Sequence, residues 1–142
     1  MDSAQWWEQQ GASKQNEIRK TYNDAGIKLI VSVFGGGAGE TSVTSQISDP
    51  EGLAEKIGTW VKANNLDGVD VDYEDFGALN DGRAVPWLVS FQTALRAALP
   101  SPQYIISHTP TAWLFVGGTG PYIDVHKQVG DGIDWVSSTS LS

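Results

Sequence analysis

The sequence predicts an α/β fold of parallel βα units, and three observations carry that prediction. Runs suited to β-strands alternate with stretches whose apolar residues recur at helical spacing. The strand-like runs follow one another at roughly 30–40 residues, the spacing of strand–helix–strand units. The acidic stretch 66–75 has a helical pattern on either side, as a parallel strand covered on both faces would.

Taken in order, Met1 to Gln10 carries Trp6 and Trp7 without a clear period. Ser13 is placed to cap a helix in which Ile18, Tyr22 and Ala25 share a face, with Gly26 just past its end. Residues 27–34 are a β-branched run and read as the first strand, running into Gly35-Gly36-Gly37 with Gly39 beyond. A phosphate cradle would need Lys and Ser/Thr at positions where this glycine cluster lacks them. Asp49-Pro50-Glu51 is a helix start, with a cap, a first-turn proline and an acid near the positive end of the dipole. Leu53, Ile57, Trp60 and Val61 follow at helical spacing, which assigns Trp60 to the core. Asn64-Asn65 closes that helix and delivers the acidic strand. Residues 76–84 read as a polar loop, and Trp87, Leu88, Phe91, Leu95 and Ala98 as the buried stripe of the next helix. Pro100 and Pro102 stop it. Residues 104–108 are the third strand, 109–115 a loop with two aromatics, 122–129 a short helix, and 132–136 the start of a fourth strand.

Composition narrows the function. The 142 residues are 40% hydrophobic with six Trp, enough for one globular domain at most. A net charge of −8 disfavours nucleic acid and anionic membrane surfaces. No apolar run approaches the ~18 residues of a membrane span, and residues 1–3 do not open a signal peptide. The absence of Cys excludes disulfides, thiolate metal sites and Cys nucleophiles, and leaves the compartment unknown.

The stretch Asp67-Gly68-Val69-Asp70-Val71-Asp72-Tyr73-Glu74 is the centre of the chain. On a strand, Val69, Val71 and Tyr73 point one way, and Asp70, Asp72 and Glu74 the other. Same-face neighbours lie roughly 6.5–7 Å apart. Three carboxylates that close cannot all ionise cheaply, so at least one is expected to hold a proton near neutral pH. Such a group suits general acid catalysis. Two other readings apply to this pattern. A solvated strand face is one, but the flanking helices argue against it. A calcium loop is the other, but it needs Gly and Glu where the chain has Asp75 and Asp81. His108, at the end of the third strand, fits either a cleft wall or a satisfied core position. His126 reads as surface.

The acidic stretch matches the Asp-x-x-Asp-x-Asp-x-Glu signature of glycoside hydrolase family 18, the chitinases and endo-β-N-acetylglucosaminidases. Residues 26–135 resemble its fungal members. The resemblance implies an incomplete (β/α)₈ TIM barrel, with strands three to six of eight forming one catalytic domain over residues 1–142. A whole barrel takes about 250 residues. It implies retaining, substrate-assisted hydrolysis of β-1,4-linked N-acetylglucosamine, with no cofactor and no metal. Glu74 would protonate the leaving oxygen and then activate water. Asp72 would orient the acetamide nucleophile, and Asp70 would share a proton with Asp72. Asp67 would be structural and Tyr73 would pack against helices. Ser32 and Gly35 keep part of the family's Ser-x-Gly-Gly, while Phe34 replaces one glycine and is expected to reshape the cleft floor. His108 and Trp113 join Ser32, Phe34 and Gly35 as expected substrate contacts. The family's strand-six Tyr has no counterpart in Trp135-Val136-Ser137-Ser138-Thr139-Ser140, and strand eight is missing. The expected partners are an N-acetylglucosamine-containing glycan and a second copy or complementing fragment, since half a barrel has two open edges. Family members are often secreted. The alternative function is an inactive, lectin-like chitin- or glycan-binding fragment.

Overall fold

A computed structural model describes residues 3–35, 42–118 and 120–138. Its centre is a sheet of four parallel strands in the order β1-β2-β3-β4. These are β1 (Ile30–Val33), β2 (Gly68–Val71), β3 (Ile105–His108) and β4 (Trp135–Val136). Around the sheet lie α1 (Ser3–Gln9), α2 (Gly11–Asp24), α3 (Val43–Gln46), α4 (Pro50–Ala63), α5 (Phe76–Asp81), α6 (Ala84–Ala98) and α7 (Pro121–Val129). Two 3₁₀ turns, Ala112–Gly118 and Gly130–Gly132, flank α7. The sheet does not close, and it leaves β1 and β4 as edges.

Register places the site. Ser32 pairs with Asp70, and Asp70 with Ser107. Val33, Val71, His108 and Val136 form the next row. The burial of β2 alternates beyond its formal end, with Val69, Val71, Tyr73 and Asp75 buried and Asp70, Asp72 and Glu74 half-buried. One face therefore packs under the helices while the other opens. Asp72 N–H still donates to the Val33 carbonyl at 3.0 Å, so the ladder carries the alternation past Val71. Strands β2 and β3 approach so closely that a Cβ at Gly68 would strike the Ile105 carbonyl. The core lies on the helix side, where Val61, Val69, Val71, Leu88, Phe91, Leu95, Ile106 and Val125 are fully buried. Helices α4 and α6 pack side by side there.

The helix start at Asp49 is as the sequence reads it, with its carboxylate accepting from Gly52 N–H at 2.8 Å. Elsewhere tertiary contacts overrule the local pattern. Residues 3–9 form α1 because Trp7 is buried and its Nε1 donates to the Asn64 carbonyl at 2.8 Å. Helix α2 begins at Gly11, with no side-chain cap from Gln10, rather than after Ser13. The expected loop over 76–84 contains α5, capped by Asp75, whose Oδ1 accepts from Ala78 N–H at 3.0 Å. That helix ends at Gly82, whose φ of 83° favours glycine. The first strand is shorter than residues 27–34, and the fourth is two residues long.

Candidate active site

Glu74, Asp72 and Asp70 lie on the open face of β2, toward its carboxyl end. In a parallel α/β sheet this is where binding and chemistry collect. Asp70 is held by neutral donors. Its Oδ1 accepts from Ser107 Oγ at 2.6 Å and from Thr109 Oγ1 at 2.8 Å, while Oδ2 accepts from Ser32 Oγ at 3.3 Å. Ser32, expected as a substrate contact, thus faces the acidic row. Asp72 lies against Gly35, where an added Cβ would strike its carboxylate, so glycine is what admits this approach. Among the described residues no side chain donates a hydrogen bond to Glu74, which leaves its carboxyl half-buried at the mouth. No group of three His, Asp or Glu among the described residues is arranged to hold a metal ion.

Of the expected contacts, Phe34 turns its ring partly inward and His108 lies wholly within the core. Phe34 has the left-handed φ of 70°, a conformation that costs a side-chain-bearing residue about 1–2 kcal/mol. Its ring turns into the helix layer, with centroids 5.2 Å from Phe91, 5.8 Å from Trp87 and 6.4 Å from Tyr73. Phe34 nonetheless stays half-buried and lines a groove along β1 together with Ser32 and Gly35. His108 is fully buried on the helix side, in the row of Val33 and Val71. Gln92 Nε2 donates to the Gly132 carbonyl at 2.7 Å, so Gln92 Oε1 is the atom 2.9 Å from His108 Nε2. That oxygen only accepts, so Nε2 carries the proton and Nδ1 accepts from Tyr122 OH at 2.7 Å. Burial, with His126 nearby, lowers the His108 pKa to about 3 and keeps it neutral. His108 is thus a satisfied core histidine. The Trp113 side chain, residues 36–41 with most of the glycine cluster, and residues 139–142 lie outside the described residues.

Asp67 pairs with Arg19 of α2 and accepts from Leu29 N–H at 2.7 Å. Burial alone would raise its pKa, but the Arg19 hydrogen bond, the Leu29 N–H and the Arg19 charge outweigh burial and lower it. Asp67 therefore ties the entry of β2 to α2 and β1, a structural role. Asp75, Ser107 and Thr109 carry contacts that local sequence pattern does not reveal. Asp75 Oδ2 accepts from Thr44 N–H at 3.0 Å, and Tyr73 OH bonds Thr44 Oγ1. The residue after the acidic row thereby fixes α3. Burial is the main reason that Tyr73 is raised to about 12. Ser107 and Thr109 had a signal available, since period-two register places both beside Asp70 once β3 is set parallel to β2.

The class this defines is an open α/β sheet of four parallel strands, like part of a TIM barrel, with its carboxylates at the carboxyl end of one strand. Among solved structures, the chain is similar to the crystal structure of a GH18 chitinase from Pseudoalteromonas aurantia. The identity is 37% and the TM-score 0.73 over 89% of this chain and 48% of that one. The chain thus spans about half the length of that chitinase. No family model matches, and no curated protein does.

Proposed function

We propose that the chain is part of a family 18 glycosidase acting on β-1,4-linked N-acetylglucosamine, with residues 1–142 forming an incomplete catalytic barrel domain. The observation that carries this reading is the acidic row. Asp70, Asp72 and Glu74 share the open face at the carboxyl end of β2, in a chain similar in fold and sequence to a chitinase.

In this reading Glu74 is the general acid and then the base. Its carboxyl protonates the glycosidic oxygen as the bond to C1 breaks, and the substrate's acetamide oxygen forms the new bond there. Water activated by Glu74 then opens the resulting ring with retention. Asp72, set against Gly35, orients the acetamide and balances its developing positive charge. Asp70 exchanges a proton with Asp72.

The half-open face and the free edges of β1 and β4 call for a neighbour, either a second copy of the chain or a complementing fragment. Along β1 runs a groove of about 710 Å³, lined by Trp6, Trp7, Val33, Ile57 and Trp60. Trp6 keeps half of its surface exposed.

Release of reducing ends from a chitooligosaccharide, followed with the native chain and with Glu74→Gln, tests the assignment. Hydrolysis by the native chain and none by the variant, with oligosaccharide binding retained, supports it. Equal hydrolysis by both removes Glu74 from the acid role. Binding without hydrolysis by either protein favours the lectin-like alternative.

A further inference from the structure

We propose that Ser107 and Thr109 are positioning residues for Asp70, fixing its carboxylate in one orientation on the open face of the sheet. The orientation follows from geometry alone; its use in hydrolysis rests on the glycosidase reading above. Asp70 faces Ser107 in the β2–β3 register. Thr109 N–H donates to the Val71 carbonyl at 2.9 Å, which extends that register by one step. Two residues apart on one strand, the two hydroxyls fall on the same face. Both donate to the same oxygen, Oδ1, at 2.6 and 2.8 Å. Ser32, the donor on the other side, stands off at 3.3 Å from Oδ2. The carboxylate is thus anchored through one oxygen, and Oδ2 is left for exchange with a neighbour. Ser107 is almost fully buried, so its hydroxyl needs this acceptor as much as the carboxylate needs the donor. Neutral donors also hold the carboxylate without placing a cation in the acidic row.

Ser107→Ala/Thr109→Val, examined in this chain by NMR, tests the proposal. Three-bond couplings from Asp70 Cγ to its backbone N and C′ should report one χ1 rotamer in the native chain and averaging in the double variant. The backbone amide spectrum should otherwise be retained, and Thr109→Ser should restore the single rotamer. In the hydrolysis assay the double variant should lose about ten- to a hundredfold in kcat with KM within about twofold, as expected for a misplaced catalytic group. A single Asp70 rotamer in the folded double variant overturns the proposal. So does an unchanged kcat where Asp70 has become mobile. Averaging in the double variant of a chain that hydrolyses nothing supports the orientation and counts only against the glycosidase reading.

Discussion

The two ends of β2 treat their carboxylates in opposite ways. At the entry, Asp67 meets a guanidinium and a backbone N–H, and its side chain is only 12% exposed. At the exit, Asp70 is held by hydroxyls, and among the described residues no cation pairs with Asp70 or Glu74. A buried charge fully matched by an opposite charge is held in one state, which serves a scaffold. A carboxylate held by neutral donors is oriented without an opposing charge beside it. One short strand thus separates an acid paired with a cation from a row of acids in which Asp70 and Glu74 have no cation partner among the described residues. The same contrast runs across its width, with His108, Tyr122 and Gln92 satisfied beneath the helices and the acids facing outward.

The largest effect that would sharpen this contrast is on turnover. If the proposed glycosidase function holds, Glu74→Gln should lower hydrolysis by about 10³-fold or more, the upper part of the range for a general acid, and should leave the fold intact. Removing the cation at the other end, Arg19→Met, should cost roughly 3 kcal/mol in urea unfolding, because the partly buried Asp67 would keep only the Leu29 N–H as a partner. A loss below about 1 kcal/mol would erase the proposed difference between the ends. Asp75→Ala should cost about 2 kcal/mol, since Ala78 N–H and Thr44 N–H both lose their acceptor.

A pH effect comes next. The folded His108 pKa of about 3 lies below the ordinary value near 6.5. Between those values the unfolded chain binds a proton at this residue and the folded chain does not. Stability from the neutral histidine is therefore complete above about pH 6.5 and falls as the pH drops toward 3. The slope is on the order of 1 kcal/mol per pH unit. Unfolding of His108→Gln followed over that range should show a shallower acid slope, and an identical slope would place the titration elsewhere. Smallest of all, Ser32→Ala should change stability by about 0.5 kcal/mol or less, because its bond to Asp70 is long. A larger loss would make Ser32 a partner equal to Ser107.

Much of the architecture was legible because period and caps are local properties. Asp49 capping α4, the stripe Trp87, Leu88, Phe91 and Leu95, and the alternation around Asp70 each depend on residues close in sequence. What escaped depends on partners far along the chain. Helix α1 rests on a bond from Trp7 to Asn64, and α5 on the Asp75 cap and its packing against α6. His108 had two readings because a strand's end has two faces, and register alone decides between them. Phe34 misled for another reason. As the replacement for a family glycine it was expected to reshape the cleft floor, but at a left-handed φ its ring turns toward Phe91, Trp87 and Tyr73.

The most direct test of the division along β2 compares the thermal unfolding of Asp67→Asn and Glu74→Gln with that of the native chain at neutral pH. Both changes replace a carboxylate by an isosteric amide, so volume is constant and only charge differs. The contrast predicts a midpoint lowered by about 10 °C or more for Asp67→Asn, as several kcal/mol implies for a chain of this size. Glu74→Gln should unfold within about 2 °C of the native chain, because no hydrogen bond from a described side chain is lost there. Equal losses in the two variants, or a stable Asp67→Asn beside a collapsed Glu74→Gln, would contradict the account.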